Sequence, residues 1–401
     1  MAHAIFQAID LGENFIPMKI NMRRDVLGRN SVPNPSPWSV HMANGTVIRL
    51  PDHVPGRPAD TVAYVHDIND NGLVVCSLHN ADRYILVGKF GLFDCATQTL
   101  ELINVATPGI TPGLFDVAPG AINSSGQVGG YGWVDLIGRI GFILNTSNGQ
   151  GTLVGSFAAD SPLFDLNEHG HAVGQRAGYP TYFNGSAPIP IGPPNQMGSA
   201  VGITDTNLVV VNFEGNYAIY NGKMNTLTPF TDGDIIDLNA SRDIVWSGRW
   251  PALDTAWLTS GGTTTRVDQL FPAGSGWSSI RPTAMNDRGD IVGSAQLHGK
   301  SHGWLLVAGY RIPDMETTFA RIIWGIINDG AGVQAIGGHL RRIPPYGPLR
   351  ELLEALPQTL SHQLESKMRH TRFETPRDAQ IFAEWARVTI TGFLLQYRER
   401  H

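Results

Sequence analysis

Residues whose types could do chemistry are scattered along this 401-residue chain rather than gathered into one motif. His79, Asp135, Arg249, His298 and His302 are the candidates for acid–base work, since imidazole titrates near neutrality and carboxylates or guanidinium groups can orient or neutralise a reacting group. Trp133, Arg139, Arg176, Tyr179, Trp250, Trp277 and Arg281 are candidates for holding a ligand, because aromatic rings offer flat apolar area and Arg offers planar recognition of carboxylates. These types suit a small organic or sugar-like molecule. The expected reaction is a cyclisation, isomerisation or elimination that needs no cofactor, with much of the barrier reduction supplied by binding a reactive conformation. The competing reading is a non-catalytic scaffold that binds carbohydrate or protein.

Several local motifs point elsewhere and are weak. Asp67-Ile68-Asn69-Asp70-Asn71-Gly72 begins like a calcium loop, but Leu78 stands where the bidentate Glu belongs. His169-Gly170-His171 and Arg288-Gly289-Asp290 both fall in turns of the repeat described below. No His, Cys and carboxylate set shows metal-ligand spacing. No nucleophile elbow, phosphate loop or dinucleotide fingerprint occurs, so no cofactor is expected. Cys76 and Cys95 are not expected to form a disulfide. Five Asn-x-Ser/Thr sequons, at Asn44, Asn123, Asn145, Asn184 and Asn239, sit in Asn-rich turns and read as turn chemistry.

The elements that must position these residues come from a repeat. An Ile/Leu-Asn-x-x-Gly-x-Val-Val-Gly pattern begins near Ile20, Ile68, Ile122, Leu166, Ile203, Leu238, Met285 and Ile327. The period is that of a propeller blade. Each copy reads as a strand ending in Ile-Asn, a tight turn, a Val-rich strand and an aromatic-aliphatic strand such as Tyr182-Phe183. Then come an Asn-Gly or Gly-Gly turn and a last strand. Eight four-stranded blades are expected, with seven as the alternative and the eighth copy then outside the ring. The orphan stretch Ala4–Leu11 is expected to pair with the final blade, at the eighth copy, and so close the ring.

With its Ile-Asn turns, Ser301-His302-Gly303-Trp304-Leu305 and His3-Ala4-Ile5-Phe6, the chain resembles the HAF-repeat proteins over about residues 1–343. Thr204 in place of Asn, and first, fifth and sixth turns without the usual Gly, depart from the pattern. The resemblance implies a β-propeller and little about activity.

After Pro344-Pro345 the texture becomes helical. Leucines from Leu349 to Leu364 recur near helical spacing, and a second run from Pro376 carries Phe382, Trp385 and Phe393. Residues 344–401 are therefore expected to form a C-terminal helical hairpin extension whose apolar stripes support a homodimer. Low charge (16%), 46 Gly and 26 Pro fit an all-β protein. The net charge of −6 and the lack of a basic stripe argue against a nucleic-acid partner. No signal peptide and no membrane-length apolar run appear, so a cytoplasmic protein without a membrane partner is expected. The loops between second and third strands, and those between blades, vary most, so the ligand is expected on the face they share.

Overall fold

A computed structural model describes residues 6–308, apart from 32–36, 81–87, 106–114, 135–137, 148–150, 155–159, 186, 249–254 and 272–273. Ile5–Ala308 forms one compact unit. It contains seven antiparallel sheets, and each is a blade. Blade I is built from Phe15–Ile20, Val26–Asn30, Trp38–His41 and Val47–Arg49. Blade II uses Arg57–Ile68, Leu73–Asn80, Lys89–Asp94 and Thr99–Asn104, with His53–Val54 as a fifth strand. Blade III begins with Phe115–Ile122 and Gln127–Val134, blade IV with Leu163–Leu166 and Ala172–Arg176, and blade V with Ser199–Ile203 and Leu208–Phe213. Blade VI begins with Asp234–Leu238 and Ile244–Ser247. Blade VII contributes Trp277–Met285, Ile291–Leu297 and Lys300–Ala308. In every blade the Ile-Asn turn joins the first two strands, as the repeat implies, and the first strands surround the axis.

The number of blades and the place of closure differ from the leading expectation. Blade VII has three strands of its own, and Phe6–Glu13 supplies its fourth by antiparallel pairing with Lys300–Ala308, from Phe6↔Ala308 to Glu13↔His302. The ring thus closes on the seventh copy with a strand from the start of the chain. The eighth copy, near Ile327, and the expected helical hairpin lie outside the described residues. The physical reason is strand supply. A seventh sheet of three strands leaves an open edge, and the first strand covers it before an eighth unit is reached.

A shared irregularity explains the last Gly of the motif. In all seven first strands the ladder slips by one residue just before the Ile-Asn pair, at Met18, His66, Gly120, Phe164, Val201, Ile236 and Thr283. Such β-bulges bend the strand and re-aim its side chains. Opposite the bulge stand Gly28, Gly130, Gly174 and Gly293 in blades I, III, IV and VII. A Cβ on Gly130 would strike the Ala118 carbonyl, and one on Gly174 the Pro162 carbonyl. There the bulge needs a residue without a side chain.

The turn Gly has a different origin. Gly72, Gly126, Gly170 and Gly289 hold φ between 75° and 80°. Where Gly is missing, Arg24, Asn207 and Arg242 hold the same left-handed backbone at φ 71°, 63° and 67°. The departures in the first, fifth and sixth copies therefore change the residue and not the turn.

Burial follows the blades. Apolar clusters fill the spaces between neighbouring sheets, for example Val245, Leu258, Phe271, Ile291, Trp304 and Leu306 between blades VI and VII. Cys76 and Cys95 are free and buried, both in the cluster between blades I and II. Burial pushes each thiol up to about 12, so neither is a thiolate nucleophile near neutral pH.

Candidate functional site: the axial mouth at the Ile-Asn turns

Seven inner strands converge on the axis, and each presents there the residue that precedes its Ile/Leu-Asn pair. Around the ring these are Lys19, Asp67, Ala121, Asp165, Gly202, Asp237 and Ala284. The alternation is chemical. Each aspartate reaches across to the next blade and accepts a backbone N–H there. Asp67 Oδ2 takes Ile122 N–H at 3.0 Å, Asp165 Oδ2 takes Ile203 N–H at 2.8 Å, and Asp237 Oδ2 takes Met285 N–H at 2.8 Å. The small residues Ala121, Gly202 and Ala284 stand beside those bonds and leave the space the carboxylates use.

Lys19 takes the one place that breaks the pattern. Burial works against its charge, but Asp67, Asp165 and Asp237 outweigh it and hold the ammonium well above its ordinary value. A lysine so charged is a hydrogen-bond donor and not an amine nucleophile. Burial in turn raises the three carboxyls, Asp67 to about 6, with the Lys19 charge opposing the rise. His66, next to Asp67, is lowered to about 4 by burial and then by Lys19, and its Nε2 lies 2.7 Å from Ser77 Oγ.

Two residues further along, the buried asparagines knit the blades into a belt. Each donates its side-chain amide to the carbonyl of the next turn: Asn21 to Asn69 at 2.9 Å, Asn69 to Asn123 at 2.9 Å, Asn123 to Asn167 at 3.1 Å and Asn167 to Thr204 at 3.0 Å. Asn286 donates to Asn21 at 3.0 Å and carries the belt from blade VII to blade I. Thr204 has no amide, and Thr206 Oγ1 instead donates to the Ala240 carbonyl at 3.2 Å. Asn239 turns its amide to Asp243 at 2.9 Å, with Met285 Sδ at 4.0 Å.

A third layer is acidic. Asp70, Glu168, Asp205 and Asp287 accept the backbone N–H groups of Met22, Ser124, Glu168 and Ala240 from the preceding blade. These layers frame a cavity of about 190 Å³ to which all seven blades contribute. Six carboxylates line it, Asp67, Asp70, Glu168, Asp205, Asp237 and Asp287, with Lys19 as the one ammonium. Among the described residues no group of three or more His, Cys, Asp and Glu is placed to hold a metal ion.

This mouth lies at the Ile-Asn turns, whereas the expected site residues that the structure describes lie at the other end of the blades. His79 is exposed, paired with Thr61 across blade II. Trp133, 46% exposed, faces Arg139 across the blade III hairpin. The Arg139 guanidinium grips Asp160 in a two-pronged ion pair (3.1 and 2.6 Å) and lies over the Tyr131 ring, so it clamps the approach to blade IV. Arg176 and Tyr179 are cross-strand partners in blade IV. Trp277 and Arg281 lie on the inner strand of blade VII, His298 in its hairpin and His302 on its third strand. Trp277 and His302 are in edge-to-face contact. Asp135, Arg249 and Trp250 lie outside the described residues. The pairings that the structure describes among these residues run within single blades.

The remaining motifs resolve into turn chemistry. Asn69 Oδ1 accepts the N–H groups of Asn71 and Leu73 inside the calcium-like loop. Asp290 of the Arg-Gly-Asp tripeptide is fully buried, binding Asn286 Nδ2, Ala308 N–H and Arg24 Nε. His171 Nδ1 lies 2.7 Å from Asn207 Oδ1, which also serves Asn167. Sequence reasoning passed over Lys19, Asp165, Asp237 and the acidic third layer. The signal that finds them is the column before Ile/Leu-Asn, read down the copies instead of along them.

No family model matches the chain, and no curated protein matches it. Among solved structures it is similar to the β-propeller domain of the trilobed protease from Pyrococcus furiosus, at 8% identity over 73% of this chain and 94% of that one, TM-score 0.45. It is also similar to a chain of the mitotic checkpoint complex, at 13% identity over 75% of this chain and 91% of that one, TM-score 0.47.

Proposed function

We propose that this propeller is a binding scaffold whose axial cavity takes one small hydroxyl-rich or amine-bearing molecule per ring. The observation that supports the reading is the cavity's chemistry: about 190 Å³ framed by all seven blades, with six carboxylates set against the single Lys19 ammonium. Carboxylate oxygens accept hydroxyl and ammonium protons, and Lys19 donates to a ligand oxygen. The excess of negative charge disfavours an anionic ligand. A repeat with equivalent blades would offer seven equal sites; the sequence of unlike residues at the axis instead makes one asymmetric site.

Calorimetric titration of the full chain with a neutral hexose, the matching amino sugar and the matching uronic acid tests this. The amino sugar should bind best, the uronic acid worst, with one ligand per chain. Asp205→Asn and Asp287→Asn should narrow the gap between the amino sugar and the hexose. Seven weak equivalents, a preference for the uronic acid, or no saturable binding of any of the three refutes the reading.

A further inference from the structure

A second centre lies at the other end of blade VII, on the seam itself, and owes nothing to the axial cavity. The first strand carries a register break between Asp10 and Gly12, where Gly12 takes φ 107°. The break folds the Asp10 carboxylate back so that Oδ1 accepts the Gly12 N–H at 2.8 Å. The same oxygen accepts the proton of His302 Nδ1 at 2.9 Å, from a residue 292 positions away. A carboxylate can only accept, so the proton of the neutral ring resides on Nδ1 and the lone pair on Nε2. The His302 side chain is 14% exposed and Asp10 43%. Trp277 meets the imidazole edge-to-face, with centroids 6.2 Å apart, and is itself held by Phe271 at 5.6 Å. Neighbouring charge is settled by Lys300 donating to Glu13 at 2.8 Å.

We propose that His302 is a general base, oriented by Asp10, that removes a proton from a carbon acid carried on a flat aromatic molecule resting against Trp277. The arrangement is the orienting half of a base dyad. A fixed carboxylate sets the tautomer and stabilises the imidazolium formed on proton transfer. In the step, the substrate C–H bond breaks and its proton passes to Nε2. The C–H electron pair becomes a new π bond and expels a heteroatom leaving group with its electrons. The imidazolium then returns the proton to water. This is an elimination that needs no oxidant, reductant or cofactor. The centre exists only in the closed ring, because base and orienting carboxylate come from the two strands that meet at the seam.

The probe is 5-nitrobenzisoxazole, whose ring C–H is lost as the N–O bond breaks, giving the coloured 2-cyano-4-nitrophenolate. The full chain should turn it over saturably, at a rate that rises with pH to a plateau. His302→Ala should lose at least about tenfold in kcat/KM. Asp10→Asn should also lose about tenfold, in kcat and not in KM, because the ring is no longer held in the tautomer that leaves Nε2 free. Trp277→Ala should act mainly on KM. Leu144→Ala, which loosens the buried core beside blade III and lies far from the dyad, should leave the rate unchanged. The proposal is overturned by turnover no faster than buffer, by His302→Ala or Asp10→Asn matching the parent, or by Leu144→Ala losing as much as Asp10→Asn.

Discussion

Replacing Lys19 with Met removes the one positive charge from the axis and leaves Asp67, Asp165 and Asp237 facing each other without it. All three carboxyls are raised by burial, and Lys19 is what opposes the rise. All four groups are half-buried, so removing Lys19 costs about 1–3 kcal/mol, between the value of an exposed ion pair and that of a fully buried one. The sign depends on pH. On the alkaline side Lys19 has a raised folded-state pKa, so its contribution holds up to its ordinary value and is lost only in strong alkali; on the acid side it needs the aspartates charged. Asp67 is raised from 3.8 to about 6, so its ionisation disfavours the folded state as pH rises through that window. Without Lys19 that penalty grows above pH 6 and falls away near pH 4, where Asp67 is protonated in the folded state. Urea unfolding followed by Trp fluorescence should therefore show Lys19→Met about 1–3 kcal/mol less stable at pH 7.5 and closer to the parent at pH 4. A deficit under about 0.5 kcal/mol at pH 7.5, or one of equal size at both pH values, refutes the argument that Lys19 is the counter-ion of the ring.

The asparagine belt makes a comparative prediction. Asn286→Ala and Asn239→Ala remove the same bonds within their turns, but only Asn286 donates to a neighbouring blade's carbonyl. Asn286→Ala should thus be the more destabilising by about 1–2 kcal/mol in urea melts. Arg242→Gly should raise stability by about 0.5–1 kcal/mol, since the left-handed backbone costs Arg242 about 1–2 kcal/mol and the greater entropy glycine loses on folding offsets part of the gain; a lower unfolding midpoint would contradict it. Deleting residues 1–13 removes the whole ladder to Lys300–Ala308 and should lower stability by several kcal/mol, about as much as a lost strand with its packing supplies. A truncated chain that melts with the full protein would show that the seam is not closed in solution.

The blade itself was legible because its signals are local. Ile-Asn, a left-handed turn position and a Val-rich strand all fall within about ten residues, and the aromatic third strand follows at once. Closure was legible as an idea but was placed one copy too late. The Ile327 copy carries the same letters as the others, whereas the deciding fact is that Trp277–Ala308 holds three strands and not four. The axial ring was missed because its members lie tens of residues apart, and each looks like an ordinary strand residue in its own copy. Lys19 gains meaning only when aligned with Asp67, Asp165 and Asp237. The Asp10–His302 pair depends on a cross-seam register that local pattern does not encode. His302 stood out by type, but its partner did not.

The same seam sets how the molecule comes apart. Contacts within a blade link residues close in sequence and form early at small entropic cost, whereas pairing Asp10 with a residue 292 positions away must wait until the intervening blades exist. Ring closure is then a late step of folding, and its reversal is the first step of unfolding. The other six blades are each built from strands consecutive in the chain, so the peeling of Phe6–Glu13 from Lys300–Ala308 should govern how long the native state lasts. Interactions at this joint, among them Lys300 with Glu13 and His302 with Asp10, act on lifetime more than on the speed of folding. A protease that cuts only the opened form would report the rate at which this single strand lets go.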